Sequence, residues 1–131
     1  MLLTLALAAL FSVRPWRKSQ VIWGRDLSSA LGDAHTANQL VFVEVYADWC
    51  DPCRQMEHET FTDARVGQQL ATLHPVRLND DLDEVQNRMA EWQSFALPTH
   101  VLLNPDGTLH AKSMGYMPPG EFLAWLRAAE R

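Results

Sequence analysis

Cysteine is scarce in this chain: two residues in 131, both in one Cys50-x-x-Cys53. None is left for a structural disulfide elsewhere, so the fold must stand on its apolar core. A structural zinc site needs about four ligands. The five histidines, His35, His58, His74, His100 and His110, include no pair at H-x3-5-H spacing, which argues against zinc. No basic or aromatic-interleaved patch occurs, and the formal charge is −5. The only charges in the first 18 residues are Arg14, Arg17 and Lys18, so the remainder is more acidic still. Such a balance argues against nucleic acid as a partner.

No apolar run reaches the ~20 residues a membrane span requires. The longest, Met1 to Val13, is broken by Thr4 and Ser12. It reads as a signal h-region or as the end of a membrane helix. No basic n-region precedes it, and no small-x-small cleavage site comes after it in place. Arg14-Pro15-Trp16-Arg17-Lys18 reads as an interfacial flank. Cations on that side favour a cytoplasmic location for the domain beyond them, whereas the thiol chemistry favours an oxidising compartment. The expected organisation is an apolar segment with a basic linker over residues 1–24 and one domain over residues 25–131.

What is present is concentrated in one stretch. Val41-Phe42-Val43-Glu44-Val45-Tyr46-Ala47 is an apolar, β-branched run that reads as a buried strand from Leu40 to Ala47. Asp48-Trp49-Cys50-Asp51-Pro52-Cys53 comes next, leading into residues that tolerate helix. A lone CxxC could bind metal or carry redox chemistry, and the strand before it favours redox. At a helix N-terminus, unpaired N–H groups and the dipole stabilise a thiolate. The spacing puts Cys50 at the exposed start and Cys53 about one turn on, close enough to bridge. Cys50 is then the nucleophile on a disulfide, and Cys53 resolves the mixed intermediate.

The neighbours supply tuning. Asp51 is a carboxylate beside Cys50, which disfavours the thiolate and suits a donor of electrons better than a strong oxidant. Pro52 stiffens a helix start where its missing N–H is no loss. Asp48 adds local charge. Glu44 is an acid inside an apolar run, costly unless it works or is paired with Lys or Arg. Acid–base work for the thiols is the functional reading.

Along the rest of the chain, Ser19 to Gly24 is a connector, and Asp26 to Ala37 a helix ended by Asn38. Thr62 or Asp63 caps a helix carrying Val66, Leu70 and Leu73. Pro75 to Asn79 is a short strand. A helix from Asp80–Asp83 to about Phe95 carries Leu82, Val85, Met89, Trp92 and Phe95 on one face. Leu97 to Leu103 is a strand, Asn104-Pro105-Asp106-Gly107 a turn, Thr108 to Tyr116 the returning strand, and the residues after Pro118 a closing helix. This order predicts an α/β fold: a central mixed sheet of about four to five strands with helices on both faces.

The order of elements, the CxxC after the first sheet strand and the proline opening a later one together resemble the thioredoxin family over residues 25–131. More specific is Tyr46-Ala47-Asp48-Trp49-Cys50-x-x-Cys53, then Thr60-Phe61-x-Asp63-x-x-Val66, Leu97-Pro98-Thr99, Gly115-Tyr116 and Glu121-Phe122-x-x-x-Leu126. These segments resemble the C-terminal thioredoxin-like domains of the DsbD family of thiol:disulfide interchange proteins. The resemblance implies a periplasm-facing dithiol reductase of the bacterial envelope, with no bound cofactor beyond the Cys50–Cys53 disulfide. It implies protein disulfides and dithiols as substrates, a membrane-embedded or thioredoxin-type electron donor, and a monomer. An Asp usually occupies the position of Glu44 and handles protons for the resolving cysteine. Pro98 matches a cis-proline that offers the Leu97 backbone to an incoming strand. Trp49, Tyr46, Thr99 and Gly115 would complete the docking surface. His58 and His100 read as ordinary surface or packing residues. The alternatives are a cytochrome-maturation or general thioredoxin-type reductase, and a Cu(I)-handling module using both thiols with a histidine or Met114.

Overall fold

The computed structural model describes residues 17–131. The expected apolar segment and most of its basic flank lie outside the described residues. Helix α1 (Leu27–Ala37) starts at Asp26, whose carboxylate accepts from the Ser28 N–H, and ends at Asn38 in the left-handed region (φ 52°). Asparagine tolerates that conformation. Next come β1 (Val41–Tyr46), α2 (Asp51–Glu59), α3 (Ala64–Leu70), β2 (His74–Asn79), α4 (Asp83–Glu91), β3 (Thr99–Leu103), β4 (Leu109–Met114) and α5 (Pro119–Ala129).

Among the described residues the sheet has four strands in the order β2-β1-β3-β4. β2 runs parallel to β1, while β3 and β4 are antiparallel to their neighbours. β1 therefore lies inside, which is why its apolar run is buried on both faces. Strand alternation sorts its side chains. Val41, Val43 and Val45 pack with Ala34, Val85, Met89 and Trp92, under α1 and α4. Phe42 packs with Met56, Phe61, Leu70, Phe122 and Leu126, under α2, α3 and α5.

The residues before α1 do more than connect. The Gln20 N–H donates to the Phe61 carbonyl, and Gly24 forms a bridge beside β2, its N–H donating to the Pro75 carbonyl. This covers part of an edge strand that would otherwise be open. Gly67 on α3 permits the approach: a Cβ there would lie 2.6 Å from the Gln20 backbone oxygen.

The fourth helix is shorter than its apolar pattern suggested. It ends at Glu91, and Gln93 adopts a left-handed conformation (φ 53°). Leu82 is the residue before the helix rather than part of its buried face. Phe95, beyond the break, is 84% exposed instead of packed. A 3.6-residue period counted through a helix end assigns a face to residues that no longer share one.

Of the two candidate caps, Asp63 caps α3, its carboxylate accepting from the Arg65 N–H at 2.8 Å. Thr62 instead donates its hydroxyl to the His58 carbonyl. The Arg65 side chain also donates to Asp63 and holds its carboxyl below the ordinary value. A folded-state value below the unfolded one adds stability that is present above the unfolded value and fades as pH falls through the folded one. Asp63→Ala is expected to cost about 1 kcal/mol at pH 7. In urea titrations the difference from the parent protein should shrink below about pH 4.

Candidate active site

β1 delivers Ala47 to the sheet end, where its carbonyl accepts the Cys50 N–H. Cys50 is the N-cap of α2, with extended backbone, and its sulfur accepts the Cys53 N–H at 3.3 Å. Asp51 and Pro52 occupy the first helical positions. Cys50 and Cys53 form a disulfide across a Cα separation of 5.3 Å. One helical turn brings the two residues together, and the cap position puts Cys50 in the field of the helix N-terminus.

Cys50 is not the exposed residue that its place at a helix start suggested. It is 4% exposed and Cys53 1%, packed with Ala47, Tyr46 and Leu97. The loop before β3 is the cover: Leu97 lies against the thiols, and the Leu97–Pro98 peptide is cis. Cys50 lines an apolar cleft of about 1130 Å³, together with Trp49, Met89, Phe95, Leu97 and Met114 among others. Trp49 is 66% exposed, its indole N–H donating to Asp81 at 3.1 Å. That hydrogen bond holds the ring at the rim of the cleft. Lys112 donates to the carbonyls of Trp92 and Gln93, which closes the C-terminal end of α4 at the opposite wall.

The remaining expected site residues divide. Asp51 and Pro52 line the cleft with Cys50, and Asp51 pairs with Arg54, which offsets part of its charge. Asp48 is exposed. Tyr46 lies beneath the Arg77 guanidinium, 3.8 Å from ring centroid to Cζ, and does not line the cleft. Thr99 is fully buried and donates to the Ala96 carbonyl, so its side chain shapes the loop. Gly115 has φ 93° and its N–H donates to the Pro98 carbonyl at 2.8 Å. Its need for glycine is conformational, since a Cβ there would meet nothing within 4 Å.

Glu44 is 0% exposed and lies on the sheet face covered by α2. Arg77 pairs with it, Nε donating to Oε2 at 3.1 Å, and reaches Glu57 of α2 at 3.5 Å. The paired reading of Glu44 therefore holds, and acid–base work is not displaced by it, because Oε1 has no hydrogen-bond partner among the described residues. Sequence reasoning missed Arg77, Glu57, Phe95 and Lys112 as neighbours of the site. Arg77 could have been found, since a buried acid in one strand calls for a cation at the same level of the next. The Thr60-Phe61-x-Asp63 segment has structural work: Thr60 donates to the Met117 carbonyl at 2.6 Å, and Phe61 enters the core.

The sequence model of the thioredoxin-like domain family matches residues 27–130. The chain belongs to that family. Among curated relatives, the thiol:disulfide interchange protein DsbD of Haemophilus ducreyi is 33% identical over 90 residues, 66% of this chain and 16% of its own length. That of Tatumella citrea is 31% identical over 106 residues, 78% of this chain and 18% of its own. The chain thus spans about a sixth of the relatives it matches. A solved thioredoxin from Thermus thermophilus superposes with TM-score 0.72 at 26% identity, covering 83% of this chain and 86% of that one. The DsbD C-terminal domain of Neisseria meningitidis, in the reduced form, gives 0.69 at 23% identity, covering 80% of this chain and 94% of that one. The latter bears on the fold alone. Members of the thioredoxin-like family with a CxxC at this junction have the parts for thiol–disulfide exchange, and the geometry above contains them.

Proposed function

We propose that this domain is a thiol:disulfide oxidoreductase that works as a dithiol reductase of partner proteins. The observation that carries the reading is the Cys50–Cys53 disulfide capping a helix at the mouth of an apolar cleft. In the reduced protein the Cys50 thiolate attacks one sulfur of a partner disulfide, forming a mixed disulfide and releasing a partner thiolate. Cys53 then loses its proton to Glu44 and attacks the Cys50 sulfur, which frees the second partner thiol. Two electrons pass to the partner, and no further cofactor is required. The cleft takes an apolar segment of the partner against Trp49 and Leu97.

The acids around Cys50 support the reducing direction. Asp48 and Asp51 flank it, and Asp80 lines the same cleft. Carboxylates near a thiol withhold the stabilisation that a strong oxidant needs in its thiolate. On the resemblance to the DsbD family, the proposal places the domain on the periplasmic side of a bacterial envelope, with residues 1–24 as anchor and linker and residues 25–131 as the working domain. Among the described residues no helix is long and apolar enough to cross a membrane.

Trapping tests the reading. In Cys53→Ser the mixed disulfide has no resolving thiol, so envelope extracts should yield covalent partner complexes that dithiothreitol dissolves. The same extracts with Cys50→Ser should yield none. Equal recovery from both variants, or from neither, contradicts the proposed order of attack.

A further inference from the structure

One row of the sheet is polar where its surroundings are apolar. The pairing registers set Arg77 of β2 opposite Glu44 of β1, Glu44 opposite His100 of β3, and His100 opposite Ser113 of β4. Glu44 and His100 are both fully buried. Phe42 stacks on the imidazole at 5.7 Å, and Phe61, Phe122 and Trp125 surround it at 5.7 to 6.4 Å. A ring so enclosed cannot swing away.

The hydrogen bonding of this row is divided. Arg77 occupies Oε2 of Glu44. Oε1 of Glu44 and both ring nitrogens of His100 have no hydrogen-bond partner among the described residues. The Oε1 to Nε2 separation is 3.7 Å, and a shift of under about 1 Å would close it to a hydrogen bond. Buried polar groups left unpaired are costly, so a fixed histidine beside an unsatisfied carboxylate oxygen calls for a reason.

We propose that His100 is a positioning residue for thiol–disulfide exchange, acting through Glu44. The proposal rests on the reading of Glu44 as the base for Cys53. With Oε2 held by a permanent donor, a proton taken from Cys53 arrives on Oε1. His100 Nε2 then accepts a hydrogen bond from that carboxyl or takes the proton itself. The resolving step balances: Cys53 Sγ–H gives its proton to Glu44, and its sulfur bonds to the Cys50 sulfur. The bond from Cys50 to the partner breaks, and the partner sulfur leaves with the electron pair, to be protonated from solvent.

The charged group paired with Glu44 is Arg77 from β2, with Glu57 of α2 beyond it, and Cys53 is buried in the first turn of the same helix α2. The segment between α2 and α3 presents Phe61, α5 presents Phe122 and Trp125, and β4 presents Ser113, none of which titrates in the range concerned. A response to pH in this part of the core therefore traces to the Glu44–His100 pair or to the thiols.

The test is the rate at which reduced protein consumes glutathione disulfide, measured from pH 5 to 9 in the parent protein, His100→Leu and His100→Gln. The parent should show an inflection besides that of the attacking thiol, carried by the Glu44–His100 pair. His100→Leu should lose that inflection and slow roughly tenfold at pH 7. His100→Gln keeps a hydrogen-bonding group toward Glu44, so it should recover most of the rate without the inflection. A His100→Leu profile with the parent's inflection, at any rate, overturns the proposal, since a packing role lowers rate without changing the shape. If His100→Leu does not fold, the Gln variant decides: an inflection retained there overturns the proposal as well. A parent protein that fails to reduce glutathione disulfide at any pH would instead sink the reductase reading.

Discussion

Cys50→Ser is expected to lower insulin-disulfide reduction by at least about a thousandfold, to the background of the reductant alone. The reason is positional. Cys50 caps α2 and lines the cleft, whereas Cys53 is on the buried side of the same helix turn. A partner sulfur entering past Trp49 and Leu97 meets Cys50 first. Serine keeps the cap, because its hydroxyl oxygen can accept the residue 53 N–H that the sulfur accepts now. The loss should therefore appear in activity with the melting temperature within a few degrees of the parent. Cys53→Ser should differ in kind: it still forms one bond to the substrate, in a single stoichiometric step. If Cys50→Ser retained turnover and Cys53→Ser lost its first attack, the assignment of nucleophile and resolving thiol would be reversed.

Phe122→Ala carries the largest expected loss of stability. Phe122 is fully buried, edge-on to Phe42 and Phe61 at 5.6 Å, and beside His100. Removing its ring leaves a cavity that the rigid sheet on one side cannot collapse to fill. A cost of about 3–5 kcal/mol is expected, with the melting temperature lowered by on the order of 10 °C or more. Phe95→Ala is the matched control. Its ring is as large but exposed at the cleft rim, so stability should change by less than about 0.5 kcal/mol. Binding of an apolar partner peptide should weaken instead. Urea unfolding of the two variants separates these expectations.

These contrasts show which parts of the molecule the residues announced. β1 was legible because a central strand must be apolar on both faces, and Val41 to Tyr46 is apolar save for Glu44. The CxxC was legible because chemistry demands its spacing and the strand before it supplies its location. Asn38 and Asp63 were legible as helix punctuation, each acting through its own backbone. Where the outcome depended on a distant neighbour, local pattern ran out. The apolar period of α4 continued through Phe95, but the chain turned at Gln93 and left that ring exposed. Cys50 looked exposed because the loop at Leu97 that covers it is far away in sequence. His100 was read as an ordinary surface or packing residue. It does pack, but only the register of β1 with β3 brings it to Glu44. Arg77 reached the same acid through the register of β1 with β2. Both pairings join residues remote in the chain, and no periodicity within either strand encodes them.

The direction of electron flow is measured most directly by the reduction potential of the Cys50–Cys53 pair. Equilibration with dithiothreitol or glutathione redox buffers, read by alkylation of free thiols, gives that value. The acids around Cys50 and the proposed donor role predict a potential near that of thioredoxin, about −270 mV, and in any case below roughly −200 mV. A value near about −120 mV, where a strong oxidant such as DsbA lies, would contradict the proposed donor role.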